Sequence, residues 1–215
     1  MNQDVRCAGK LLEHMKNEWG DRFPRLIEQK EERHSSVMVP LIEKDGELHV
    51  LFEVRAANLN RQPGEICFPG GGVEREESFE AAAVRETMEE LLIQREQIEL
   101  IAPLDYLKTS SGLTVHAYLG KLDQYGGSFS SDEVDHVFTV PFFWFLEHEP
   151  EKYVTNVHTI PGDDFPFELV PGGSNYHWRK GHYDVYFYRY GDEIIWGMTA
   201  KLMYGFVKLY RGERL

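Results

Sequence analysis

The sequence predicts a mixed α/β (α+β) fold, on three observations. Short runs rich in β-branched and aromatic residues recur between clusters of Gly, Pro, Asn and Asp; one central stretch carries its apolar residues at helical spacing; a second such stripe lies near the carboxy terminus. At 215 residues, 42% of them hydrophobic, the chain is long enough for one well-buried domain and short for two. One domain is therefore expected over 1–215, with residues 1–33 as a helical extension.

Taken in order, Leu11, Leu12 and Met15 are spaced as in an amphipathic helix over residues near 5–18, which Gly20 and Pro24 then break. Such a helix is expected to pack on the core. Residues 36–42 and 48–54 read as strands joined at Lys44-Asp45-Gly46, hence a hairpin. Ile66-Cys67-Phe68 is a short apolar run stopped by Pro69-Gly70-Gly71-Gly72. Residues 78–92 form the central helix, with Ser78 as its N-cap. Strands are expected over 99–107, 115–122 and 134–140, with Thr109-Ser110-Ser111-Gly112 turning between the first two, and a short helix over 142–146. Residues 158–180, rich in Pro, Gly and Asp, read as a long surface loop. Residues 183–190 alternate as a strand, and 199–210 place Leu202, Met203, Phe206, Val207 and Tyr210 on one helical stripe that is core rather than a cofactor box.

Thirty-six acids against 23 Lys plus Arg leave a formal charge of −13, which argues against nucleic acid as a partner. The amino terminus interleaves charges with its apolar residues, and no stretch is long and apolar enough for a membrane span. Two cysteines, Cys7 and Cys67, make neither a disulfide framework nor a zinc pattern, and both read as small buried or half-exposed thiols. The chain does not end in Ser-Lys-Leu, so a cytoplasmic protein is expected. Nine scattered histidines lack ligand spacing, and no Gly-x-Ser-x-Gly elbow is present. A homodimer is compatible with the sequence.

In the central helix Glu86, Glu89 and Glu90 stand at i, i+3 and i+4 and share one face. Three glutamates alone are more often a solvated acidic face. Here Arg85 is adjacent, Glu77 lies eight residues before it, and a glycine turn that lets backbone approach a ligand lies just upstream. Mg²⁺ or Mn²⁺ takes a few carboxylates while keeping waters and substrate phosphate oxygens, and it supplies charge and an activated water to a pyrophosphate. The remaining carboxylate could serve as the base.

Gly71, Glu77 and Arg85-Glu86-Thr87-Met88-Glu89-Glu90-Leu91-Leu92-Ile93 together resemble the Nudix box, over residues 71–93. The resemblance implies a mixed β-sheet sandwiched between helices, with the box as loop, helix, loop. It implies Glu86 and Glu90 as principal metal ligands, Glu89 as a further ligand or the base, the Gly71 carbonyl as another ligand, and Arg85 with Glu77 as the pair that orients the helix. Asp132 or Glu133 is a second candidate for the base. Two positions depart from the pattern: Thr87 replaces an aliphatic residue, and Leu92 replaces a glycine, which removes an easy left-handed C-cap and implies a different helix exit.

Upstream, Arg55, Gly64 and Phe68-Pro69-Gly70-Gly71 are similar to the signature of the coenzyme A pyrophosphatase branch, although Asn60 stands where an arginine is usual and Arg61 follows it. The resemblance extends to Thr109-Ser110-Ser111-Gly112 and to residues 195–201. It implies hydrolysis of coenzyme A or an acyl derivative, a small nucleotide substrate, with Arg55, Arg61, Gly64, Phe68 and Gly70 on its binding path and Lys108 as a further phosphate contact. ADP-ribose or a dinucleotide is the alternative substrate. A ligand sensor of this family commonly lacks box carboxylates, and this chain keeps them. Arg179 and Lys180 read as a solvated loop end; Trp196 is expected to be buried and Thr199 to cap the last helix.

Overall fold

A computed structural model describes residues 8–19 and 33–214. Cys7, Gly20, Pro24 and the first residues of the amino-terminal helix lie outside them. The helix α1 runs Ala8–Trp19, and its Leu12 and Met15 are exposed.

The body beyond residue 33 is built on an eight-stranded mixed sheet. Strands β1 (Arg33–Lys44) and β2 (Glu47–Arg55) form the expected antiparallel hairpin, with Leu41 opposite Val50. On the other side β1 pairs in parallel with β7 (Leu113–Leu122). The path runs β3 (Ile66–Cys67), β2, β1, β7, β5 (Ile98–Pro103); β4 (Gly70–Gly72) adds to β1, β6 (Leu107–Lys108) to β7, and β8 (Val134–Pro141) to β2. A three-stranded antiparallel sheet of β9 (Glu151–His158), β10 (Lys180–Tyr190) and β11 (Glu193–Trp196) follows. Helix α2 is Phe79–Leu91, α3 Phe142–Glu147 and α4 Gly197–Tyr210.

Strand alternation sorts the core into two layers. Val39, Val50, Phe52 and Val54 join α3 and α4 through Phe142, Phe145, Met203 and Phe206. Met38 and Leu51, of opposite parity, join Val84 and Leu91 of α2. The main sheet thus lies between α2 on one face and α3 with α4 on the other, as the sandwich predicts.

Several elements differ from the sequence reading. The strand expected over 99–107 is two: β5 stops at Pro103, β6 begins at Leu107, and the pairing of β5 with β7 slips between Leu100 and Ala102. Gly70–Gly72, read as a turn, pairs as a strand with β1, at an approach that only glycine permits at position 70, where a Cβ would overlap the Ser36 carbonyl and Val37 Cα. Strands β9 and β11 were hidden, the former because it is exposed along its whole length and carries no burial alternation. The loop over 158–180 holds two single turns of 3₁₀ helix, Phe167–Leu169 and Gly173–Asn175, and its last residue already belongs to β10.

Helix α4 starts at Gly197, so Thr199 lies inside it and donates to the Ile66 carbonyl (3.0 Å) instead of capping. Trp196 is 42% exposed, not buried, and stacks on Phe187. Tyr210, placed on the core stripe, is exposed, whereas Leu202, Met203, Phe206 and Val207 are buried. The parallel pairing of β1 with β7 also joins His34 Nδ1 and His116 Nε2 across 3.1 Å, a pair 82 residues apart in sequence.

Candidate active site

Helix α2 begins as the sequence predicts: the Ser78 hydroxyl accepts from the Ala81 amide (3.1 Å). It ends differently. Leu92 takes the left-handed conformation itself, at φ 52° and ψ 47°, and its amide returns to the Met88 carbonyl, so the helix exit is the one a glycine would give. Thr87 is fully buried, its hydroxyl satisfied by the Ala83 carbonyl at 2.7 Å.

Arg85 is the hub of the loop and the helix. Its Nε and Nη2 meet the two Glu77 oxygens at 3.0 Å each; Nη1 reaches Glu86 at 2.8 Å and Glu89 at 3.3 Å; Nη2 also donates to the Gly72 carbonyl at 3.1 Å. This fork holds the Glu77 carboxyl below its ordinary range. Glu77 and Arg85 are thereby tied as a pair, spanning loop and helix.

The three helix carboxylates are not equivalent. Glu89 is 61% exposed. Glu86 is half-buried, and burial raises its pKa against the opposing pull of Arg85. Glu90 is 2% exposed, accepts the Gly70 amide at 2.7 Å, and is pushed well above the usual carboxylate range by burial first and by Glu53 next. The Gly71 backbone lies against Glu86 so closely that a Cβ there would overlap its carboxylate.

Glu53 escaped the sequence reading. It is 1% exposed, one residue beyond the apolar Phe52 of a central strand. Its parity is that of Leu51, so it faces α2. Its Oε1 accepts from Cys67 Sγ at 3.2 Å, while Oε2 is buried without a partner. Burial raises its pKa, and that of the Cys67 thiol. A charged residue at an inward position of an apolar strand was the available signal, and it is the sort that marks a site rather than a core.

Glu133 raises Glu53, Glu86 and Glu90 alike, so its loop lies beside them; that loop is pinned by the Ser130 amide on the Glu90 carbonyl (2.8 Å) and the Ala56 amide on the Glu133 carbonyl (2.9 Å). Asp132 and Glu133 are both exposed.

Next to Gly70 opens a cavity of about 560 Å³. Its lining unites Arg55, Phe68, Lys108, the 109–111 turn, Trp196 and Lys201, which are far apart in sequence. Of the five residues expected on the binding path, Arg55, Phe68 and Gly70 line it. Phe68 does so from the core, 3% exposed and stacked on Phe52. Arg61 and Gly64 are not among its lining: Arg61 is exposed, its carbonyl receiving Arg55 Nε (3.4 Å), and the Gly64 amide donates to the Arg55 carbonyl (2.9 Å). Their place is to hold Arg55. Arg179 and Lys180 are exposed and outside the lining as well.

Hard-cation chemistry fits the donors present. Burial raises Glu53, Glu86 and Glu90 and the charge of Glu133 adds to each, one carboxylate oxygen is buried without a partner, and the Gly71 backbone leaves a cradle that a Cβ would fill. Among the described residues no three side chains are already drawn round one point; Glu86 is held by Arg85 instead. No helix among the described residues is long and apolar enough to cross a membrane.

A model of the NUDIX domain matches residues 32–165. Over 152 residues the chain is 35% identical to peroxisomal coenzyme A diphosphatase NUDT7 of Mus musculus, covering 70% of this chain and 62% of that protein. It is 30% identical over 138 residues to Nudix hydrolase 3 of Caenorhabditis elegans, covering 61% of this chain and 58% of that protein. It is also 30% identical over 180 residues to the Nudix hydrolase NudL of Photorhabdus laumondii, covering 80% and 82%. The chain thus spans about three-fifths of the length of the first two.

Proposed function

This chain belongs to the Nudix family, and on that premise we propose that it is a divalent-cation-dependent hydrolase of coenzyme A or an acyl-coenzyme A. Water would split the pyrophosphate into adenosine 3′,5′-bisphosphate and a 4′-phosphopantetheine. The observation that carries this reading is the Gly70 amide on Glu90: Gly70 belongs at once to the carboxylate cluster and to the lining of a cavity that also holds Arg55 and Lys108. The similarity to a coenzyme A diphosphatase supports the same substrate.

In this reading Glu86 and Glu90, with the Gly71 carbonyl, would hold Mg²⁺ or Mn²⁺, and Glu89 is a further ligand. When bound, such a cation offsets pyrophosphate charge and lowers the pKa of a water. Arg85 draws Glu86 and Glu89 to one side of α2 and ties the helix to the glycine turn through Gly72. Arg55 and Lys108 offer cationic hydrogen-bond donors to phosphate oxygens. Glu133, whose charge reaches Glu86 and Glu90, is the candidate to take the proton of the attacking water. The substrate is a small nucleotide and the predicted compartment the cytoplasm.

The test is product analysis by mass spectrometry after incubation with Mg²⁺ or Mn²⁺ and, separately, coenzyme A, acetyl-coenzyme A, ADP-ribose or a diadenosine polyphosphate. Adenosine 3′,5′-bisphosphate from the coenzyme A substrates, only with metal, is expected. Cleavage of ADP-ribose instead would discard the substrate and keep the chemistry; no cleavage of any would reject the enzyme.

A further inference from the structure

We propose that Glu53 is an additional carboxylate donor to the divalent-cation site of the box, acting through its unpartnered Oε2. The proposal rests on the reading of Glu86 and Glu90 as cation ligands and adds a residue from outside the box, supplied by the central strand β2.

Three observations converge on it. Strand parity turns Glu53 towards α2 and away from the core that holds Phe52 and Val54, so it approaches the box helix from the sheet. Its charge is the strongest influence on Glu90 after burial itself, and it also feels Glu86 and Glu133, which places its carboxylate among theirs. Finally, its two oxygens differ. Oε1 is engaged by Cys67 Sγ, a weak donor that fixes the carboxylate plane, whereas Oε2 has no hydrogen-bond partner although it is fully buried.

A purely structural carboxyl does not account for this arrangement. Buried polar oxygens are hydrogen-bonded in nearly all cases, and an apolar side chain on this strand would have matched its neighbours Leu51 and Phe52. A cation beside Oε2 supplies the missing partner and offsets the mutual repulsion of Glu53 and Glu90. Cys67 then acts as a positioning residue that holds Glu53 through its Sγ, 3.2 Å from Oε1.

The experiment is Mn²⁺ titration of the full chain, stripped with EDTA, with free Mn²⁺ read by electron paramagnetic resonance. Wild type, Glu53→Gln, Glu53→Asp and Glu86→Gln are compared, with circular dichroism melting in EDTA as the folding control. The expected result is a dissociation constant raised about 10-fold or more, or one fewer Mn²⁺ bound, in Glu53→Gln, with no loss of melting temperature. Glu53→Asp, which keeps the charge and withdraws the oxygen by one methylene, is expected to weaken binding too, and it carries the test if Glu53→Gln does not fold. Wild-type affinity and stoichiometry in the folded Glu53 variants, with binding lost in Glu86→Gln, would overturn this proposal and leave the box reading standing. No Mn²⁺ binding by wild type would overturn both.

Discussion

The Gly70 amide donates to Glu90 Oε2 at 2.7 Å, joining the glycine strand β4 to a helix residue twenty positions later. That bond lowers the Glu90 pKa against burial and Glu53, both of which raise it. Strand β4 is therefore part of the carboxylate site, and its three glycines have different reasons to be glycine.

Alanine at each position separates those reasons. At Gly70 a Cβ meets backbone of β1 that cannot yield, so Gly70→Ala is expected to cost about 2 kcal/mol or more in a denaturant titration. At Gly71 it meets the Glu86 carboxylate, the end of a flexible side chain; stability should change little while turnover falls at least about 10-fold. At Gly72 it meets nothing within 4 Å, and Gly72→Ala should behave as wild type. Equal behaviour of all three in both measurements would reject this division.

The buried carboxyls set a pH dependence for the metal-free protein. Glu53 and Glu90 both have folded pKa values raised, Glu53 by burial first and then by Glu133 and Glu86, Glu90 by burial first and then by Glu53. Their contribution is therefore fully present below the unfolded value of about 4.3 and lost as pH rises through the folded values. Glu77 and Glu149 are lowered by Arg85 and Arg211, so theirs is lost only as pH falls through the carboxylate range. In EDTA the melting temperature should fall as pH rises from about 5 to about 9. Glu53→Gln should flatten that decline; parallel wild-type and variant curves would reject the assignment.

Leu92 holds a left-handed conformation that costs an ordinary residue about 1 kcal/mol, and its side chain is exposed. Leu92→Gly removes that strain at the cost of some unfolded-state entropy. A net gain of about 0.5 kcal/mol, or a rise of roughly 1–2 °C in melting temperature, is expected. A lower melting temperature would mean that the Leu92 side chain contributes more than its exposure suggests.

Arg55 lines the cavity and Arg61 does not. Arg55→Ala is expected to raise KM for a coenzyme A substrate about 10-fold or more, by removing a charge-assisted bond. Arg61→Ala should change it less, since only its main-chain carbonyl meets Arg55. The reverse order in steady-state kinetics would restore Arg61 as the phosphate contact.

The sequence by itself determined the elements whose signal is local. The β1–β2 hairpin followed from alternation around Lys44-Asp45-Gly46, α2 from its apolar spacing and Ser78, and the shared face of Glu86, Glu89 and Glu90 from helical geometry alone. The pairing of Glu77 with Arg85 was implied by the resemblance to the Nudix box. Tertiary structure decided what depends on packing between distant segments. The end of α2 at a left-handed Leu92 shows that a tightly packed helix can impose a backbone conformation its residue disfavours. Strand β9, exposed throughout, exists by pairing with β10 rather than by any burial pattern. Thr199 bonds the Ile66 carbonyl across 133 residues, and Arg55, Lys108 and Lys201 meet only round the cavity. Glu53 is the sharpest case. Its strand was legible from period-two alternation, but burial and the proximity of Glu90 arise only when β2 passes under α2, and non-local contact of that kind leaves no periodicity in a sequence.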